Sequence, residues 1–213
     1  MKITTQKIFE ELFERYPKLC SVKENLQNTF ELIKSTYDNG GALYVCGNGG
    51  SASDSEHIVG ELLKSFKKRR AIDKKTADAL IELGEEGQAL INNLEGSLPA
   101  VSLISQTGVI TAFANDKAWD TAFAQQLYGL GKEGDCLIAI STSGNSKNCV
   151  NAALVAKAKG IKSVGLVGGH GGRLKDICNE YICVPESETY KVQELHLPIY
   201  HCLCAMLEEE FFD

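Results

Sequence analysis

Residues 42–51 read Ala42-Leu43-Tyr44-Val45-Cys46-Gly47-Asn48-Gly49-Gly50-Ser51. A short apolar run passes straight into a glycine-rich turn, and the residues beyond it have helical spacing. Such a run is of strand length, and its unbroken apolar character suits a strand buried on both faces. The glycines let the backbone turn sharply and approach a ligand closely. The helix that follows presents free N–H donors and the positive end of its dipole. The turn is not G-x-G-x-x-G, and no acidic residue follows about twenty positions on at the tip of a second strand, so no nucleotide cofactor is expected.

The same pattern recurs outward from this stretch. Apolar runs at 100–104, 136–140, 163–167 and 181–184 are each bounded by Gly, Pro, Asp or Ser, with helical patterns between them. That alternation predicts a three-layer α/β fold, a parallel sheet covered by helices on both faces. Towards the N-terminus, Ile8, Leu12, Phe13 and Tyr16, then Leu19, Val22, Leu26, Phe30 and Ile33, recur at helical spacing. They predict helices over about residues 4–38, broken at Pro17. A last helix is expected over about 187–211, bent at Pro198. Residues 67–97 depart from the alternation: they open with Lys67-Lys68-Arg69-Arg70 and carry Leu80, Ile81, Leu83, Leu90, Ile91 and Leu94. They read as a helical insertion in a single domain spanning 1–213, with the basic run as a solvated face in preference to a lid.

Composition narrows the function. With 213 residues, 44% of them hydrophobic and 23% charged, the chain reads as a globular domain with a sizeable core. A net charge of −6 argues against nucleic acid as a partner. Residues 1–16 lack the apolar core of a signal peptide, and no stretch suggests a membrane span, so a cytoplasmic protein is expected. None of the eight cysteines forms a C-x-x-C pair, which favours reduced, buried thiols over disulfides or a cysteine-bound metal.

Two further groups of residues carry chemistry. The 136–140 run ends in Ser141-Thr142-Ser143-Gly144-Asn145-Ser146, four hydroxyls within six residues at a helix start. An N-cap accounts for one or two of them. A phosphate, which wants many donors and little bulk, accounts for all four. His57 and Glu61, four apart, share one helix face, and the last helix carries Gln193, His196 and His201. Such side chains suit a metal or proton transfer equally well.

These residues resemble a known pattern. Gly47-Asn48-Gly49-Gly50-Ser51 with Asp54, His57 and Glu61, Asn115-Asp116, the 141–146 loop, and Gln193-Glu194-Leu195-His196 with His201 are together similar to the phosphoheptose isomerases, a SIS-domain family. The resemblance covers nearly the whole chain except residues 67–97. It implies a five-stranded parallel sheet in the flavodoxin-like order 2-1-3-4-5, and a homotetramer with active sites between subunits. It implies phosphate and sugar binding by Asn48, Gly49, Gly50, Ser51, Asn115, Asp116, Ser141, Thr142, Ser143, Ser146 and Gln193. It implies zinc on His57, Glu61, Gln193 and His201, with Glu61 as base and His201 as acid. The implied reaction converts sedoheptulose 7-phosphate to an aldose heptose 7-phosphate through a cis-enediol. Ser65 stands where the family usually carries Arg, Lys191 stands for another Arg, and Arg69 or Arg70 is a candidate replacement cation. Those departures leave a related anionic sugar as an alternative substrate. A non-catalytic SIS protein, a sugar-phosphate sensor or a regulator of the DnaA-binding kind, is the other alternative. Cys202-Leu203-Cys204 is similar to that regulator's ending, whereas the presence of Glu61 and His201 favours an enzyme.

Overall fold

The computed structural model describes residues 1–212; Asp213, the last residue of the expected domain, lies outside the described residues. Helices α1 (Ile3–Arg15) and α2 (Lys23–Asp38) are separated by a short 3-10 turn that starts at Pro17. Proline has no N–H to donate, which suits it to the first position of such a turn. The strands are β1 (Leu43–Cys46), β2 (Ala100–Ser102), β3 (Cys136–Ser141), β4 (Lys162–Gly168) and β5 (Glu180–Val184). Each falls on one of the apolar runs, and all pair in parallel in the order β2-β1-β3-β4-β5.

Between the strands lie α3 (Gly50–Leu63), α4 (Lys74–Ile81), α5 (Glu85–Asn93), α6 (Thr107–Asp116), α7 (Ala122–Leu130), α8 (Lys147–Ala158) and α9 (Gly172–Ile177). The chain closes with α10 (Thr189–Phe211), which runs continuously through Pro198. Alternate strand residues feed two cores, as the period of two requires. Leu43, Val45, Ile138 and Ile140 join Phe30 of α2, Ile58 of α3 and Met206 of α10 on one face. Tyr44, Cys46, Leu137 and Ala139 join Phe123 of α7 and Val150 of α8 on the other.

The strand order reverses between β1 and β3, which are direct neighbours with Leu43 opposite Cys136. Loops leaving adjacent strands at such a point diverge to opposite faces and leave a crevice between them. The loops 47–49 and 142–146 are those two. Residues 67–97 form no strand: they contain α4 and α5, a helical pair with no buried residue in α4. All eight cysteines are free thiols. Among the described residues no helix is long and apolar enough to cross a membrane.

Candidate active site

The first loop is held close to its neighbours. A Cβ built on Gly50 would come 2.6 Å from Nε2 of Gln193, so the glycine lets the end of this α10 side chain pack directly onto the start of α3. Asn48 exchanges two amide hydrogen bonds with Asn148, at 2.9 and 2.7 Å, and this pair ties the first loop to the first turn of α8. In the second loop Gly144 has a φ of +67°, and a Cβ there would lie 1.9 Å from the carbonyl oxygen of Gly171. The Oγ atoms of Ser141 and Ser146 are 2.9 Å apart, and Ser143 Oγ accepts from the Asn145 N–H at 3.2 Å.

Both α3 and α8 begin at this crevice. Neither has an acidic residue in its first turn; the α3 N-cap is Gly49, and the Ser146 side chain at the α8 N-cap does not bond to its helix. Two helix N-termini therefore bring positive dipole ends, with no acidic side chain in their first turns, beside the hydroxyls of Ser141, Thr142, Ser143 and Ser146. That arrangement suits an anion with several acceptor oxygens.

Further along α3, Asp54, His57 and Glu61 follow at helical spacing, and α10 lays Tyr200 and His201 against them. His57 Nε2 lies 3.2 Å from Glu61 Oε1 and 3.4 Å from His201 Nε2. The Tyr200 hydroxyl lies 3.1 Å from Asp54 Oδ1 and 3.1 Å from His57 Nδ1. Glu61 is largely enclosed, its side chain 12% exposed, with Lys64 Nζ 3.3 Å from its other oxygen. Burial holds the His201 imidazole below its ordinary range, the neighbouring His57 adds to this, and Glu61 opposes it. Burial likewise pushes the Asp54 carboxyl up, against the hydrogen bond from Tyr200 and the charge of His57. A cleft of about 330 Å³ opens on the α1 side of His201, lined also by Phe66, Lys67 and Pro198.

The structure thus brings together Asn48 with Asn148 in the first turn of α8, Gln193 with Gly50, and His57 with Glu61 and His201. Asn115 and Asp116 end α6, exposed, with the Asn115 amide donating to Asp116 at 2.8 Å. Arg70 is not a free cation. It is buried, donating Nε–H to Glu208 Oε1 at 2.7 Å and two further hydrogen bonds, each 2.8 Å, to the carbonyls of Leu62 and Glu61. It therefore cannot replace the charge absent at Ser65. Ser65 instead accepts from the Arg70 N–H at 3.1 Å. Sequence reading passed over Asn148 and Tyr200: the first falls in an ordinary helix, and the second reads as one more apolar position of α10.

A zinc-type ion is testable against these positions. Ligand atoms about 2.0–2.1 Å from a tetrahedral zinc stand about 3.4 Å from one another. The separations of His57 Nε2 from Glu61 Oε1 and from His201 Nε2, 3.2 and 3.4 Å, match that spacing. Gln193 packs against Gly50. Among the described residues no group of three or more His, Cys, Asp or Glu side chains forms a metal site as it stands. The chemistry and spacing of the donors fit such an ion, while a complete cage is not preformed.

Comparison with known proteins agrees with this fold. The SIS domain family matches residues 12–96 and 94–168, which defines the class. A phosphoheptose isomerase from Nitratiruptor is 38% identical over 209 residues, 98% of this chain and 92% of that protein. One from Clostridium acetobutylicum is 37% identical, covering 89% of this chain and 84% of its own. The solved phosphoheptose isomerase from Francisella tularensis superposes with a TM-score of 0.75 at 28% identity, covering 96% of each chain. The chain belongs to the phosphoheptose isomerase family of SIS-domain proteins. It is accordingly an enzyme of the isomerase class. With 98% of the chain inside the Nitratiruptor match, residues 67–97 belong to the similarity, not outside it.

Proposed function

We propose that this chain interconverts sedoheptulose 7-phosphate and an aldose heptose 7-phosphate, with Glu61 as base and His201 as acid. The observation that carries the reading is that Glu61 and His201 lie around His57, on α3, which starts at the first loop, and on α10, whose Gln193 packs against Gly50. Moving a carbonyl between C1 and C2 requires a proton taken from one carbon and a proton delivered to the other. The Glu61 carboxylate removes the C1 proton of the ketose and forms the cis-enediol. It returns a proton to C2 while the His201 imidazole exchanges protons with the two oxygens. Each group contributes roughly 10²–10⁴-fold.

The phosphate sits against the N-termini of α3 and α8, with Asn48, Gly49, Gly50, Ser51, Ser141, Thr142, Ser143 and Ser146 around it and Gln193 alongside. Asn115 and Asp116 contact sugar hydroxyls. His57, Glu61, Gln193 and His201 would hold a zinc-type ion, which when bound polarises the sugar oxygens and steadies developing negative charge. The protein is a cytoplasmic homotetramer in this reading, with active sites between subunits. Ile81, Leu83, Leu90 and Leu94, apolar and largely exposed on and beside α4 and α5, support the assembly.

The substrate is tested by incubating the protein with a panel of five-, six- and seven-carbon ketose phosphates and measuring aldose formation. The highest kcat/KM is expected for sedoheptulose 7-phosphate. A higher value for a shorter sugar would transfer the reading to that sugar and tie the change to Ser65 and Lys191.

A further inference from the structure

We infer that Tyr200 is a positioning residue, coupling Asp54 to His57 so that the imidazole carries its proton on Nδ1 and turns a bare Nε2 toward Glu61 and His201. The inference rests on the reading of Glu61, His57 and His201 as one site, and it adds a residue and a tautomer to that site.

The argument is a count of hydrogens. Tyr200 is buried and its hydroxyl meets two partners at once, Asp54 Oδ1 and His57 Nδ1, each at 3.1 Å. A phenol has one hydrogen to donate. An ionised carboxylate accepts only, so that hydrogen goes to Asp54. The phenol oxygen is then an acceptor towards His57, whose Nδ1 must supply a hydrogen. In a neutral imidazole this leaves Nε2 with a lone pair. Nε2 stands 3.2 Å from Glu61 Oε1, which is also acceptor-only, and 3.4 Å from His201 Nε2. Two lone pairs at that separation repel unless a proton or a cation lies between them. The position between them thus suits a hydrogen donated by His201 or a cation, and the Asp54–Tyr200 pair keeps His57 from filling it with its own proton.

A second observation separates this from ordinary packing. Asp54 Oδ2 is buried with no hydrogen-bond partner, a placement that costs free energy. A tyrosine present only to fill the core does not require a half-satisfied carboxylate beside it. The Tyr200 ring stands edge-on to His57 and His201, at 5.5 and 5.0 Å between centroids.

The test is imidazole ¹⁵N NMR on the full-length chain after dialysis against EDTA, comparing wild type with Tyr200→Phe and Asp54→Ala. Wild-type His57 is expected as the Nδ1–H tautomer. Tyr200→Phe removes the acceptor, and His57 moves its proton to Nε2, where Glu61 accepts it. Asp54→Ala leaves the tyrosine in place but frees its hydrogen for Nδ1, giving the same switch; it also serves if Tyr200→Phe does not fold. Zn²⁺ titrated into the same samples should bind about 10–100-fold more weakly to either variant. An Nε2–H tautomer in the wild type, or an Nδ1–H tautomer retained in the variants, overturns the inference. Because the tautomer is read without substrate, inactivity on every sugar phosphate would sink the isomerase reading and leave this result standing.

Discussion

At the scale of single residues, His196 shows how the core constrains α10. It is fully buried, with Nε2 3.3 Å from the Val167 carbonyl oxygen and Nδ1 without a partner. Burial lowers its pKa from 6.5 to about 4, opposed only by that carbonyl. The unfolded chain therefore takes up the proton first. Stability is complete above about pH 6.5 and is lost as the pH falls towards about 4, by up to about 3 kcal/mol. Denaturant midpoints measured between pH 7 and pH 4.5 should fall more steeply for wild type than for His196→Gln. Equal slopes would contradict this. Of the four histidines in the sequence, His57 was readable as a site residue because Glu61 lies four residues on, and His201 through the family resemblance. Tyr200 was not, because one aromatic within an apolar run carries no mark of the partners it meets across the fold.

At the scale of elements, the C-terminal end of α3 is fixed by a buried ion pair. Arg70 donates to the carbonyls of Leu62 and Glu61 and to Glu208, while Glu208 also accepts from the N–H groups of Phe66, Lys67 and Lys68. Burial pushes the Glu208 carboxyl up, but the bonds from Phe66, Lys67 and Arg70 outweigh it and hold it below its ordinary range. Arg70→Ala would take the counter-charge from that buried carboxylate and leave it three backbone N–H donors, at a cost of about 3 kcal/mol. It would also loosen the helix turn bearing Glu61. A lower melting temperature and a lower kcat, with Glu61 still present, are the expected outcome; unchanged melting would contradict it. The basic run 67–70 read as a solvated face. Lys67 and Arg69 are exposed, but Arg70 turns inward, because a cation's direction is set by a carboxylate more than a hundred residues away on α10.

At the scale of the molecule, the strands were legible because each is a short apolar run with a defined boundary. The order was not, because spacing carries no information on which strands are neighbours; it came with the resemblance and is the order observed. The pairing of Asn48 with Asn148 depends on that order and was illegible for the same reason. The apolar spacing in 67–97 predicted helices, and its residues Ile81 and Leu83 remain 56% and 67% exposed in the single chain. Burial between subunits accounts for them in the proposed assembly. Light scattering should then give about four times the 23.2 kDa chain mass, and Leu83→Glu with Leu90→Glu should yield smaller, inactive species. An active monomer would contradict the shared site. The central claim, that Glu61 moves the proton, is tested most directly by the rate at which sedoheptulose 7-phosphate is isomerised by wild type and by Glu61→Gln, followed by NMR. The expected result is a fall of about 10²–10⁴-fold in kcat in a variant that melts like the wild type; isomerisation by Glu61→Gln at the wild-type rate would contradict it.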